Sequence, residues 1–198
     1  MMRAPKLREL KEAIIALIKG PYTASFPAEP TPLPEAFRGC PRFDEEKCVG
    51  CGACTNVCPT GACAMEDDPE SRTRRITIRL DRCIFCGQCH ANCLTEEGVT
   101  QTAEYDLATT DRSELHEDIE KDLILCETCG AVIGAEDHIR WVADQLGPVA
   151  FANPTLLLSK MRDLEAVDEL PEPSEDLHRA DRLRITCPKC RQTTSLLA

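Results

Sequence analysis

Aromatic residues make up only 4 % of this 198-residue chain, while its prolines number 14. A large single hydrophobic core is therefore not expected, and small domains so placed lean on metals or disulfides for stability. No apolar run approaches the roughly 18 residues that a membrane-spanning helix needs. The amino end lacks a small-residue cleavage site after a short apolar region, so no secretory signal is expected. The chain reads as soluble or peripheral. It also lacks a G-x-G-x-x-G fingerprint and a phosphate loop, so no nicotinamide or nucleotide site is signalled. No Ser/His/Asp set, paired carboxylates or open metal position stands out, which argues against substrate chemistry on the chain itself. Positive charge is in deficit: 23 basic against 34 acidic side chains give a net charge of −11. Nucleic-acid binding calls for the opposite sign. The acidity serves solubility or steers a basic partner.

What the chain has instead is 14 cysteines. Eight of them form two copies of C-x2-C-x2-C-x3-C. The first reads Cys48-Val-Gly-Cys51-Gly-Ala-Cys54-Thr-Asn-Val-Cys58-Pro59, and the second Cys83-Ile-Phe-Cys86-Gly-Gln-Cys89-His-Ala-Asn-Cys93-Leu94. Bacterial ferredoxins use this spacing to hold a pair of [4Fe–4S] clusters. In such proteins the first three cysteines of one copy join the last of the other. Applied here, Cys48, Cys51, Cys54 and Cys93 hold one cluster, and Cys83, Cys86, Cys89 and Cys58 hold the second. Zinc knuckles are the alternative, but x2-x2-x3 is not usual zinc spacing. Gly50, Gly52 and Gly87 are expected to let the backbone wrap closely and turn N–H groups toward sulfur. Leu94 stands where a second proline would match Pro59. Unpaired thiols at such spacings belong in a reducing compartment, the cytosol.

Four more cysteines form Cys126-Glu-Thr-Cys129 and Cys187-Pro-Lys-Cys190. Each follows a short apolar stretch, Asp122 to Leu125 and Leu183 to Thr186, read here as strands ending in knuckles. Facing each other, they make a tetrahedral site like those of zinc ribbons and rubredoxin-like centres, for Zn2+ or a single iron. Cys63 reads as a buried small hydrophobe covering a cluster, and Cys40 as a free thiol. His90 lies inside a cysteine loop whose ligand count is already complete. His116, His138 and His178 have no evident partners.

The resulting fold class is α+β, in four segments. Residues 1–20 carry an amphipathic helix over 6–19, with Leu7, Leu10, Ile14, Leu17 and Ile18 on one stripe, ended by Gly20-Pro21. That stripe packs on the chain's own domain, or docks at a membrane surface or on a partner helix. Residues 21–43 are proline-rich and extended, with Tyr22, Phe26, Leu33 and Phe37 lying across a surface. Residues 44–105 form the two-cluster ferredoxin domain. Its spacer alternates Ile76, Ile78 and Leu80 with polar residues, as a strand does. Arg72, Arg74, Arg75 and Arg79 read as a solvated basic face, or one that offsets the clusters or meets an acidic partner. Residues 106–198 are acidic and polar as far as 122, then carry the four-cysteine region. Helices are expected over Glu136–Leu146 and Thr155–Leu164, the latter capped by Asn153 ahead of Pro154, followed by a charged linker from Asp168 to Asp181.

The run Phe26-Pro-Ala-Glu-Pro30 through Phe37-Arg-Gly39, with Cys48 to Pro59, resembles subunit I of NADH:quinone oxidoreductase. Arg82-Cys83-Ile-Phe-Cys86-Gly and the later C-x2-C pairs resemble more closely the ferredoxin-type subunit of formate hydrogenlyase and hydrogenase-4, both group 4 [NiFe] hydrogenases. The resemblance covers roughly residues 14 to 130 and the final cysteine pair. It implies a non-catalytic relay subunit in the cytoplasmic, peripheral arm of a membrane-anchored complex. Electrons would pass between a donor and the small subunit's [4Fe–4S] cluster, with residues 6 to 41 docked on neighbouring subunits near the membrane. A respiratory quinone reductase subunit, or a free soluble ferredoxin with an appended zinc ribbon, are the other readings.

Overall fold

The computed structural model describes residues 6–20, 23, 26, 28–29, 31–164 and 184–196. The linker expected over Asp168 to Asp181, with Pro171, Pro173 and His178, lies outside them, as do Pro21, Tyr22, Pro27 and Pro30. Two compact units are formed, one up to Phe37 and one from Arg38 onward.

In the first unit, helix α1 spans Leu7–Lys19. Glu9 accepts from the Lys6 backbone N–H at 2.9 Å, and Lys19 sits in the last turn, both complementing the helix dipole. Gly20 at φ 85° ends the helix, a conformation that its missing Cβ permits. Its apolar stripe is left open: Leu7 and Leu17 are each 86 % exposed and Ile18 79 %.

The second unit opens with strand β1 (Pro41–Phe43) and helix α2 (Ala53–Val57), followed by the hairpin β2 (Cys63–Asp68) and β3 (Thr73–Arg79). Helix α3 (Gln88–Ala91) and strand β4 (Val99–Gln101) close the ferredoxin-like half, with β4 antiparallel to β1 in the register Phe43↔Val99. Both short helices start at a glycine in the left-handed region, Gly52 at φ 75° and Gly87 at φ 76°. They occupy the same place in the two motif copies. Position three of each copy is left-handed as well, Gly50 at φ 66° and Phe85 at φ 52°. The loops therefore repeat their backbone path even where one carries a bulky aromatic that this region disfavours.

Strand β5 (His116–Leu125) then pairs antiparallel with β3, placing Ile119 opposite Ile76, and β6 (Val132–Ala135) pairs with β5. The sheet order is β2-β3-β5-β6, so segments on either side of residue 105 share one sheet. Most of the stretch from 104 to 122 reads as polar in sequence, yet its last third is strand. The inward positions of β5 are Glu117, Ile119, Lys121 and Leu123, and the two charged ones hide the alternation. Helices α4 (Glu136–Leu146) and α5 (Pro154–Asp163) follow as expected, the Asn153 side chain accepting from the Thr155 N–H at 3.0 Å.

Two readings need correction. Residues 184–186 form no strand; Pro188 instead opens helix α6 (Pro188–Leu196), placing Cys190 in its first turn. Proline is well suited to a first helical position. Of the arginines read as a solvated face, Arg72 and Arg75 are exposed and Arg79 partly so, and Arg74 alone departs from that reading. Arg75 bonds Glu120 at 2.9 Å and Arg79 bonds Asp81 at 3.1 Å. Arg74 shares the inward face with Ile76 and Ile78 and is only 7 % exposed.

The main core joins Ile76, Ile78, Leu80, Val99 and Ile119 to Cys40, Cys54 and Cys63, with Cys48, Cys58, Cys89 and Cys93 packed against it. A second, smaller core gathers Ile124, Leu158 and Ile185. Arg74 is the polar member that reaches between layers: it forks onto Asp67 at 2.7 and 2.8 Å and donates to the Gly50 carbonyl at 2.9 Å. Replacing it by methionine is expected to cost about 3 kcal/mol, because Asp67 and the Gly50 carbonyl lose a buried partner. A lower thermal denaturation midpoint of the loaded chain would show it.

Candidate metal centres

Two cavities flank the cysteine-rich core. One is lined by Cys48, Cys51, Cys54 and Cys93 together with Leu94, Thr95 and Gly98. The other is lined by Cys58, Cys83, Cys86 and Cys89, with Cys63 beside them. Each cavity thus draws three thiols from one motif copy and the last from the other. The Phe85 N–H points to Cys83 Sγ at 3.4 Å, and the hydroxyls of Thr60 and Thr95 lie 3.6 and 3.5 Å from Cys58 and Cys93. Gly98 passes so close that a Cβ there would stand 3.2 Å from Cys93 Sγ and 2.9 Å from Cys48 Cα.

The thiols are electrostatically uneven. Burial pushes Cys48 up, opposed by the Gly50 N–H and by Lys121. Burial likewise raises Cys89 to about 11. At Cys58 burial is outweighed by the backbone N–H groups of Cys63 and Thr60 and by the Thr60 hydroxyl, which bring it to about 7. Cys63, 7 % exposed as a small core residue should be, shares a hydrogen bond with Cys54 that holds its own proton on and favours the Cys54 thiolate. Cys40 is fully buried, its thiol directed to the Pro41 carbonyl at 3.6 Å. His90 is exposed, and His138, half-buried, is lowered by burial and by Arg74.

Several residues at these cavities carry no motif. Lys121 lays its stem over Gly50, where a Cβ would meet its Cγ at 3.1 Å. Its Nζ donates to the Glu45 carbonyl at 2.6 Å and to Asp137 at 3.0 Å. Arg38 donates to the Cys86 carbonyl at 3.1 Å. Gln101 lines the second cavity with both amide atoms buried and without a hydrogen-bond partner. Only the threonines two places after Cys58 and Cys93 could have been guessed from spacing. The cavities fit sulfur-rich inorganic groups: four converging thiols each, donors aimed at sulfur, and an orphaned amide that a soft acceptor would satisfy.

The third cysteine set also comes together. The sulfurs of Cys126, Cys129, Cys187 and Cys190 all lie within 4.8 Å of one another, with Cys129 and Cys187 3.7 Å apart. Metal–sulfur bonds of about 2.3 Å in a tetrahedron set sulfurs about 3.8 Å apart, so the set suits one ion. The end of β5 and the first turn of α6 present it, joined by the Glu127 N–H to the Ile185 carbonyl at 2.9 Å. Burial works to raise Cys126, but the N–H groups of Cys187, Cys129 and Thr128 bring it down to about 6. The Cys187 N–H lies 3.3 Å from its sulfur. Cys190 keeps its proton, pushed up to about 12 by hydrogen bonds to Cys129 and Cys187.

Crossed thiol sets around two adjacent cavities define a dicluster ferredoxin-type protein, and residues 38–96 match the family model of the 4Fe-4S dicluster domain. The chain belongs to the subunit I family of NADH-quinone oxidoreductases. It is 34 % identical to NADH-quinone oxidoreductase subunit I 2 of Geobacter metallireducens over 122 residues, 57 % of this chain and 92 % of that one. Similarity to NAD(P)H-quinone oxidoreductase subunit I of Gloeobacter violaceus is 34 % over 103 residues, 50 % of this chain; the chain spans about half of that relative, 49 %. Formate hydrogenlyase subunit 6 of Escherichia coli is 43 % identical over 49 residues, 25 % of this chain and 27 % of that one.

Metal uptake by the four-cysteine set should depend on pH in a defined way. Protons compete for the thiolates, so affinity falls as pH falls. Below about 6 the Cys126 thiolate is lost too. A competition titration with Zn2+ is expected to show the slope of log affinity against pH steepening by about one proton there.

Proposed function

We propose that this chain is an electron-relay subunit carrying two [4Fe–4S] clusters within a larger oxidoreductase complex. The observation that carries the reading is the pair of cysteine-lined cavities sharing one core, each completed by the other motif copy. Cys48, Cys51, Cys54 and Cys93 would hold one cluster, and Cys83, Cys86, Cys89 and Cys58 the other. When bound, such clusters supply one-electron carriage at potentials set by hydrogen bonds, charge and solvent exposure. The chain's part is to hold the sulfurs still. Left-handed turns at Gly50, Gly52, Phe85 and Gly87 fix the loops, and Arg74 and Lys121 clamp the first of them. Ligands so held move little when the charge changes, which favours fast transfer.

Cys126, Cys129, Cys187 and Cys190 would hold a structural Zn2+; a single iron is the alternative, since both accept tetrahedral thiolates. The site is closed by four protein ligands, which suits a structural rather than a catalytic ion.

The partners are the other subunits of a membrane-anchored complex of the formate hydrogenlyase or wider group 4 [NiFe] hydrogenase type. They include the small subunit with its own [4Fe–4S] cluster. Supporting this are the higher identity to formate hydrogenlyase subunit 6, 43 % over 49 residues, and the exposed apolar stripe of α1, a surface suited to a membrane face or a partner helix. No described helix is long and apolar enough to cross a membrane, so attachment at the cytoplasmic face would be peripheral. A quinone reductase subunit is the second reading, favoured by the longer matches to the two quinone oxidoreductase relatives. A free soluble ferredoxin with an appended zinc ribbon is the third reading, and it predicts a stable monomer that needs no partner to stay in solution.

Anaerobically purified full chain is expected to contain about eight irons and about eight labile sulfides, with two reduced-state EPR signals. Far fewer irons would sink the relay reading, and the proteins that co-purify will separate hydrogenase-type from quinone-reductase complexes. Changing Cys187 and Cys190 to serine is expected to remove the terminal ion and weaken assembly while both EPR signals remain. Loss of those signals from an assembled complex would contradict the division of cysteines made here.

A further inference from the structure

Gln101 is the last residue of β4, and its backbone is held in the ladder opposite Pro41. Its side chain leaves the strand into the cavity lined by Cys58, Cys83, Cys86 and Cys89. There its Nε2 and Oε1 are both buried and neither finds a hydrogen-bond partner in the protein. A buried, unpaired amide costs about 1–3 kcal/mol against one that is satisfied. Polar neighbours at the same cavity are, by contrast, engaged. The Gln88 Oε1 accepts from Asn92 Nδ2 at 3.3 Å, and the Thr60 hydroxyl contacts Cys58 Sγ at 3.6 Å. An apolar side chain of the same length would fill the position without that cost, as Val99 does two residues earlier at the other cavity.

The chemistry of the cavity names the missing partner. Thiolate and inorganic sulfide are acceptors only, so they can satisfy Nε2–H and not Oε1, which fixes the amide with its nitrogen toward the sulfurs. We propose that Gln101 is a positioning residue for the cluster held by Cys58, Cys83, Cys86 and Cys89, donating its side-chain N–H to a cluster or thiolate sulfur and raising that cluster's reduction potential. This rests on the ligand assignment above. The sign follows from charge: the reduced cluster is the more negative partner, so a donor aimed at its sulfur stabilises it more than the oxidised form. Among the described residues, no side-chain amide lines the first cavity; its corresponding lining is Leu94, Val99 and Ile76, with the Thr95 hydroxyl as the nearby donor. Gln101 therefore gives the two sites different surroundings, and its removal should move one potential and leave the other in place.

The test is an EPR-monitored redox titration of the full chain and of Gln101→Met, which keeps the length of the side chain and loses the donor. Iron and sulfide are counted first, since a parent chain without two clusters would overturn the ligand assignment rather than the role of Gln101. The signal of the second cluster is identified by its change in Cys86→Ser. Gln101→Met is expected to shift the one-electron equilibrium of that cluster about tenfold toward the oxidised form, about 59 mV downward, with the first cluster unmoved. In parallel, full chain labelled with 15N in its glutamine side chains is expected to show a 15N coupling on the same EPR signal. That coupling should be absent in Gln101→Met and persist in Gln88→Met. An unchanged potential in a fully loaded Gln101→Met, or equal shifts of both clusters, overturns the proposal. Should the methionine variant fail to load, the labelled parent with Gln88→Met decides alone: no 15N coupling overturns the donor, and a retained coupling supports it.

Discussion

The structure depends on sulfur standing where a small domain would otherwise place aliphatic side chains. Around Ile76, Ile78, Leu80, Val99 and Ile119, the remaining buried positions of the main core are filled by Cys40, Cys54 and Cys63, with four further motif cysteines against them. Thiolates converging in one place repel one another unless something positive lies between them. The crossed arrangement makes that constraint global. Because Cys58 stands at the second cavity and Cys93 at the first, neither motif copy completes a site by itself. The two halves must come together for either cavity to close. A chain with so few aromatics can afford this core only because ligation supplies the cohesion that apolar area does not.

Much of this was legible from residue spacing, since the motif dictates which backbone path brings four sulfurs together. The helices of the carboxy-terminal region were also legible, because their caps and apolar periods are local features: Asn153 and Pro154 mark the start of α5 as plainly in the sequence as in space. What could not be read were residues whose role depends on a distant neighbour. Glu117 faces inward because Arg42 and the Phe43 N–H lie there to meet it, a pairing 74 or 75 residues away in sequence. Lys121 faces inward because its stem covers Gly50 and its ammonium reaches Glu45 and Asp137. Two charges on the buried side of β5 erased the alternation by which a strand is recognised. Phe85 shows the same limit at one residue. Nothing local recommends the left-handed region for a phenylalanine; only the repeat of the Cys48–Cys51 path does.

Strand β5 changes what the carboxy-terminal region means. Taken by spacing alone, the four-cysteine set is an appendage. In the structure, the strand that pairs with β3 along Thr73–Arg79 runs on directly into Cys126. Midway along it, Lys121 presses on the loop between Cys48 and Cys51. One rigid element thus touches the first cavity and presents the third cysteine set, and α6 completes that set from the far end of the chain. An ion there would fasten β5 to α6 and so brace the wall of the first cavity at one remove. This is a mechanical role, consistent with a site closed to substrate.

The two cavities are then alike in sulfur count and unlike in everything that tunes sulfur. At the first, a buried arginine holds the Gly50 carbonyl and the lysine stem seals the loop from outside, with each cation tied to a carboxylate, Asp67 and Asp137. At the second, the cation on the loop is the exposed Arg38 on the Cys86 carbonyl, and the buried polar group is a neutral amide. Buried charge acts at short range through a low dielectric, whereas an exposed guanidinium is screened by water and salt. In the proposed relay, two cavities of identical surroundings would give no direction. The repeated motif supplies two equivalent sets of thiols, and the residues that break the repeat, Phe85 for Gly50 and Gln101 among them, are what give the two cavities different surroundings.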